Sequence, residues 1–227
     1  MRTTRRPGIV NATKYAALGA LALAAAGCLT GNARHLLYLE PDGAVTWSVF
    51  QESVRWHGDD PTVRAEQERA FLDDVRAERH PVAAALRELG APWTSTQLVR
   101  DRRPYSVVTE ARFDSVDDAF GGLLRRLGLL EESELRRDGT STTWILDCVV
   151  DQAGAVPGED RVEALLAEVE NYRFVLTSGR FTQAVGFALT DEETTAILQD
   201  PASFDENGCA RYELSWTDAP DAIDGLE

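Results

Sequence analysis

The sequence predicts an α+β fold: an antiparallel β-sheet built from repeated β-hairpin–helix units, with the helices packed on one face. Three observations lead there. Apolar and polar residues alternate over short stretches such as Val45-Thr46-Trp47-Ser48-Val49, the period of a half-buried strand. Turn signals such as Pro41-Asp42-Gly43 and Asp138-Gly139 join these stretches in pairs. After most pairs the apolar spacing lengthens to that of a helix.

The first unit pairs "HLLYL" (35–39) with "AVTWSVFQESV" (44–54) across "EPDG". A helix follows, with Asp60 as N-cap, Pro61 in its first turn, and Phe71, Leu72 and Val75 at helical spacing. Pro81 interrupts it after His80, and a second segment carrying Val82, Leu86 and Leu89 runs to a stop at Gly90. The second unit pairs 94–101 with 104–113, placing Tyr105, Val107, Thr109, Ala111 and Phe113 on one face. Its helix (115–128) opens with Ser115 and Asp118 and carries Phe120, Leu123, Leu124 and Leu127 as the apolar stripe. The third hairpin (133–151) turns at Asp138-Gly139, with Trp144, Leu146, Cys148 and Val150 on one face. A helix after Pro157 then places Val162, Leu165, Leu166 and Val169 together. A fourth round turns near Ser178-Gly179 and continues as a helix over 190–200, opened by a Thr190/Glu193 capping box; 210–217 supplies a closing strand. The α+β domain thus spans 35–217. The Gly/Pro/acid stretch 152–160 is the best candidate for a boundary between two lobes, and 218–227 is an acidic tail.

The segment before this domain has a different grammar. Residues 1–15 are basic and polar, and 16–27 ("AALGALALAAAG") are apolar and small, too short for a transmembrane helix. This matches a secretory signal peptide over 1–27. The run "AAAGC" resembles the lipobox of bacterial lipoprotein precursors, with Ala25 where most lipoboxes carry Leu. The resemblance implies that Cys28 becomes the first mature residue and receives a diacylglyceryl group, and usually an amide-linked acyl chain such as palmitate. The protein would then be held to a membrane of the bacterial cell envelope, facing the periplasm from the outer membrane in a Gram-negative cell. One acyl chain binds a bilayer marginally, whereas two or three on one residue make a lasting anchor. Residues 28–34 read as the lipidated Cys and a short tether, which at about 3.3 Å per residue reaches roughly 20 Å.

Charge narrows the partners. The formal net charge is −15, and it becomes four units more negative once Arg2, Arg5, Arg6 and Lys14 leave with the signal. Such a surface repels nucleic acid and anionic headgroups, so a phosphate-binding role is not expected and nucleic acid is excluded as a partner. Cys148 and Cys209 form an even pair in a compartment that permits disulfides, so a Cys148–Cys209 bridge is expected; two buried thiols are the alternative.

Chemistry-bearing motifs are sparse. The sequence contains no G-x-S-x-G, H-E-x-x-H, P-loop or dinucleotide fingerprint. Its three histidines, His35, His57 and His80, fall in different elements. "WHGDD" places His57 beside Asp59 and Asp60, a weak candidate for a metal or acid–base site. The simpler reading makes Asp60 a helix cap and leaves no metal. "DEE" (191–193) reads as a helix N-terminus, and "DENG" (205–208) lacks the oxygen spacing of an EF-hand. "RDRRP" (100–104) is the basic cluster of the mature region, read as a decorated hairpin tip or a docking point for an acidic partner or headgroup. Trp47, Trp144 and Trp216 lie on the apolar parity of their strands. They are read as core, with lining of an apolar ligand cavity as the sharper alternative.

"YLEPDGAVTWSV", "YRFVLTSGRF" and the late "LSW" resemble mycobacterial LppM-type envelope lipoprotein domains. That resemblance implies an envelope domain that binds lipid, and it carries over no catalytic residue and no cofactor. The expected function is therefore a non-enzymatic, membrane-anchored envelope lipoprotein that binds a partner protein, lipid or glycan near the membrane. The alternative is an envelope hydrolase or metal-dependent enzyme with a site assembled from scattered Asp, Glu and His.

Overall fold

The computed structural model describes residues 29–56, 60–149, 171–199 and 209–218. They form two sheets and three short helices around one core. The first sheet has seven strands in the order β3-β4-β2-β1-β7-β10-β9. These are β1 (Leu29–Leu39), β2 (Val45–Trp56), β3 (Trp93–Arg100), β4 (Tyr105–Phe113), β7 (Tyr172–Leu176), β9 (Phe187–Leu189) and β10 (Thr195–Leu198). The second sheet has the order β5-β6-β11-β8, from β5 (Leu130–Asp138), β6 (Ser141–Val149), β8 (Arg180–Val185) and β11 (Cys209–Thr217).

The first hairpin closes as its turn residues require. Gly43 takes φ +91, and the Asp42 side chain accepts from the Ala44 amide at 3.0 Å. β1 starts at Leu29, six residues before the expected strand. Thr30 sits opposite Arg55 and Asn32 opposite Glu52, so the residues read as a tether belong to the sheet. Along β1 the buried side chains are His35, Leu37 and Leu39, and along β4 they are Tyr105, Val107, Thr109, Ala111 and Phe113. Both follow the alternation in the sequence.

Helix α1 (Pro61–Arg76) is capped by Asp60, whose carboxylate accepts from the Thr62 and Val63 amides at 2.8 and 3.4 Å. Pro81 opens α2 (Pro81–Glu88), which buries Val82, Ala83, Ala85 and Leu86. After β4 the chain makes one π-helical turn (Asp117–Gly121) and runs into α3 (Gly122–Leu127), which closes on Gly128 at φ +74. The Ser115 hydroxyl accepts from the Asp118 amide at 3.0 Å, the capping contact expected from the sequence.

The α+β class and the largely antiparallel pairing stand. The hairpin–helix order holds for the first two units, the helix of the third lies outside the described residues, and the fourth departs from it; the strands divide between two sheets, a point the sequence leaves open. Thr190–Leu198 was expected to be helical, but only a turn and strand β10 form there. Thr194, Thr195 and Ile197 are β-branched, and Ala196 and Leu198 are buried at period two, so strand geometry prevails over the capping signal. The turn at Ser178-Gly179 does not make a hairpin either. β7 pairs in parallel with β1 in the large sheet, while β8 pairs with β11 in the small one. The chain returns to the large sheet at Gly186 (φ +76), which separates β8 from β9. The helix expected after Pro157 and the boundary at 152–160 lie outside the described residues, as does the tail beyond Asp218.

The core lies between the layers. Leu37, Trp47, Val49, Ala111, Phe113 and Phe174 of the large sheet meet Val82 and Leu86 of α2, Phe120 and Leu123, and Trp144, Leu146, Leu214 and Trp216 of the small sheet.

Candidate functional site

Trp47, Trp144 and Trp216 all belong to that core, at 0%, 1% and 5% exposure. Trp47 packs against Phe113, Phe120 and Tyr172, and Trp144 lies edge-on to Phe120 with centroids 6.1 Å apart. Trp216 meets Phe181 at 6.3 Å. Such edge and tilted pairs contribute ~1 kcal/mol each beyond the area they bury.

A polar thread runs through these rings. His35 falls on the inward parity of β1 and is fully buried, stacked on Tyr172 with centroids 4.3 Å apart. Its Nδ1 accepts a hydrogen bond from Trp47 Nε1 at 3.2 Å. The proton of the neutral ring therefore sits on Nε2, which has no hydrogen-bond partner among the described residues. Burial lowers the His35 pKa to about 4. His80, beside Phe71, is held at about 4 by burial as well, against an upward pull from Asp74. Both imidazoles are buried, at 1% and 3% exposure.

Asp117, the first residue of the π-helical turn, joins the helical segment to the small sheet. It accepts from Ser133 Oγ on β5, from the Arg125 guanidinium, and from Trp144 Nε1 at 3.4 Å. Burial pulls its carboxyl pKa upward, but Ser133, Arg125 and Trp144 outweigh that and hold it below the usual carboxylate value. Replacing Asp117 with Ala leaves three donors without an acceptor. A loss of about 2 kcal/mol is expected in urea unfolding, whereas a change under ~0.5 kcal/mol would show the network to be incidental.

Of the weak metal candidates, only Asp60 lies among the described residues. Asp60 is committed to its helix, His57 and Asp59 lie outside the described residues, and no cluster of three potential ligands occurs within them.

The expected Cys148–Cys209 bridge is also absent. Cys148 pairs with Ala210 across β6 and β11, and Cys209 pairs with the next residue, Val149. Side chains alternate faces along a strand, so one thiol points into the core and the other away from it. Cys209 instead hydrogen-bonds the Glu131 carboxylate at 3.1 Å, and burial pushes Cys148 up to about 12. Native alkylation should modify Cys209 within minutes and Cys148 only on unfolding. A mass two protons short of the dithiol form would contradict this pairing.

One end of the large sheet gathers features that the sequence scatters. Leu29 lies opposite Trp56, Thr30 opposite Arg55, Val54 opposite Tyr105, and Ser106 opposite Arg100. The start of β1, one residue after Cys28, therefore shares an end with the "RDRRP" turn. Within that turn Arg103 is clasped to Glu68 of α1, with its Nε 2.8 Å from the carboxylate. Glu68 is almost fully buried, so this pair fixes the turn against the helix. Nothing local in the chain signals this pair, because its partners stand 35 residues apart.

These features define a two-sheet α+β domain with an aromatic core and a basic turn beside the start of its first strand. No protein-family description matches the chain, and no curated protein is similar to it. Among solved structures, it is similar to the NMR structure of the folded domain of LppM from Mycobacterium tuberculosis, at 9% identity and a TM-score of 0.36, over 84% of this chain and 91% of that one.

Proposed function

We propose that the protein is a lipid-anchored bacterial envelope lipoprotein that acts by binding a protein, lipid or glycan close to the membrane, and not by catalysis. One observation carries the reading: the basic, then small and apolar, N-terminal segment ends in "AAAGC", and strand β1 begins at the very next residue. No helix among the described residues is long and apolar enough to cross a membrane, so attachment through Cys28 does not compete with a span there. With β1 starting at Leu29, the domain sits against the bilayer with no spacer to lift it. Any ligand role for Trp47, Trp144 or Trp216 requires their packed rings to part, so partner contact is assigned to the exposed surface.

The test is the Cys28→Ser substitution in the native host. Acyl labelling should vanish and the protein should leave the membrane fraction. Unchanged labelling and fractionation would refute the anchor.

A further inference from the structure

We infer that the end of the seven-stranded sheet beside Cys28 is a docking surface for anionic lipid headgroups, which holds the anchored domain in one orientation. The inference rests on the anchored reading above and adds to it the face that meets the bilayer and the lipid chemistry it selects.

Placement comes first. The strand register brings Arg55 on β2 and Arg100 at the end of β3 to the same end as Leu29, and Arg102 follows in the adjoining turn. All three arginines are exposed, and none has a carboxylate within ion-pair distance among the described residues. The described acids at this end are mostly committed elsewhere. Glu52 pairs with Arg34, Glu68 with Arg103, and Asp60 with the first amides of α1. Asp101 is one exception and Glu66 of α1 another, the latter on the same helix as Arg64 and Arg69, neither of which is ion-paired among the described residues.

The opposite end differs in sign. Glu40 and Asp42 flank the β1–β2 turn, Asp114 follows β4, and the arginines present there are consumed by pairs, Arg112 with Glu40 and Arg137 with Asp218. An acidic protein thus exposes uncompensated positive charge where its anchor would emerge. Screening limits the contest to groups within about 8–10 Å of the headgroups, so the distant acids do not cancel that patch.

The same end carries apolar tips. Val99, beside Arg100, is 60% exposed, and Val63 in the first turn of α1 is 40% exposed. Aliphatic side chains next to guanidinium groups suit the headgroup boundary of a bilayer. The Glu68–Arg103 clasp presents the turn as a fixed surface.

An arginine near an anionic surface contributes about 1 kcal/mol, so three arginines less Asp101 give roughly thirtyfold preference for the docked orientation. The test uses the acylated protein in vesicles of phosphatidylglycerol and phosphatidylcholine, and in phosphatidylcholine alone. A fluorophore is attached through Val99→Cys, or through Leu135→Cys on the far sheet, in a Cys209→Ser background. The label at 99 should be shielded from an aqueous quencher in the anionic vesicles only. High salt, or the combined Arg55→Gln, Arg100→Gln and Arg102→Gln variant, should remove the shielding, and the label at 135 should stay accessible throughout. Equal quenching at both positions, or shielding indifferent to lipid charge, would overturn the docking surface. Acylation of Cys28 is read separately by intact mass. A bare Cys28 with charge-dependent shielding of position 99, on adding the protein to vesicles from outside, would defeat the anchor and uphold the surface.

Discussion

Replacing Gly179 with Ala should destabilise the protein by at least about 3 kcal/mol, lowering the thermal midpoint by roughly 10 °C. Gly179 takes φ +83 in the turn that carries the chain from β7 in the large sheet to β8 in the small one. A methyl group there would stand 1.7 Å from the Thr217 carbonyl oxygen and 2.8 Å from its carbon. Both are backbone atoms and cannot swing aside. Thr217 is the last residue of β11 and pairs with Arg180, so any retreat breaks the small sheet at its end. It would also strain the seam beside it, where the Thr177 amide donates to Leu39 O at 3.1 Å and the Asp218 amide to Thr140 O at 2.9 Å. Gly139→Ala is the control. Its φ is +59, but nothing lies within 4 Å of the added carbon, so a cost of about 1 kcal/mol is expected. Equal effects at the two sites would show that the sheet-switching turn is not held as described.

Mild acid should have the second large effect, through the buried histidines. His35 and His80 bind a proton at an ordinary 6.5 in the unfolded chain but only at about 4 in the folded one. Between those values the unfolded state holds more protons, so stability falls as the pH drops from 6.5 toward 4 and levels off below. The gap corresponds to about 3 kcal/mol for His35, and His80 adds a loss of the same sign. Asp117 acts lower down. Its carboxylate is favoured by folding, so its share persists above the unfolded carboxylate value and disappears as pH falls through the depressed folded one. Urea midpoints measured from neutral to acid pH should therefore decline well before carboxylates titrate. In His35→Gln the slope between 6.5 and 4 should shrink. An imidazole signal of His35 titrating near 6.5 in the folded protein would contradict its burial.

Much of this was legible in the sequence where one local rule decides the outcome. Asp60, Pro61 and Pro81 fix the helix boundaries, and Asp138-Gly139 fixes a hairpin. The alternation around Trp47 and Trp144 fixes which side faces inward. The same alternation already puts His35 in line with Leu37 and Leu39, so its burial could have been read. What escaped depends on pairing between distant strands. No local pattern announces that β7 lies parallel to β1, that Gly179 and Gly186 move the chain between sheets, or that a one-residue offset between β6 and β11 turns Cys148 and Cys209 to opposite faces. The candidate site divides in the same way. "RDRRP" and Cys28 are each visible in the chain, but their sharing one end follows only from strand register. Thr190–Leu198 shows two local rules in conflict, with β-branched residues and a buried alternation prevailing over a capping box.

The central claim is that acyl chains on the Cys28 sulfur hold this domain to a membrane of the cell envelope. Intact mass spectrometry of the protein purified from its native membranes tests it most directly. The account predicts a chain that begins at Cys28 and exceeds the mass of its residues by a diacylglyceryl group, with or without a further amide-linked acyl chain. A chain that begins upstream of Cys28, or one that begins there with an unmodified thiol, would contradict it.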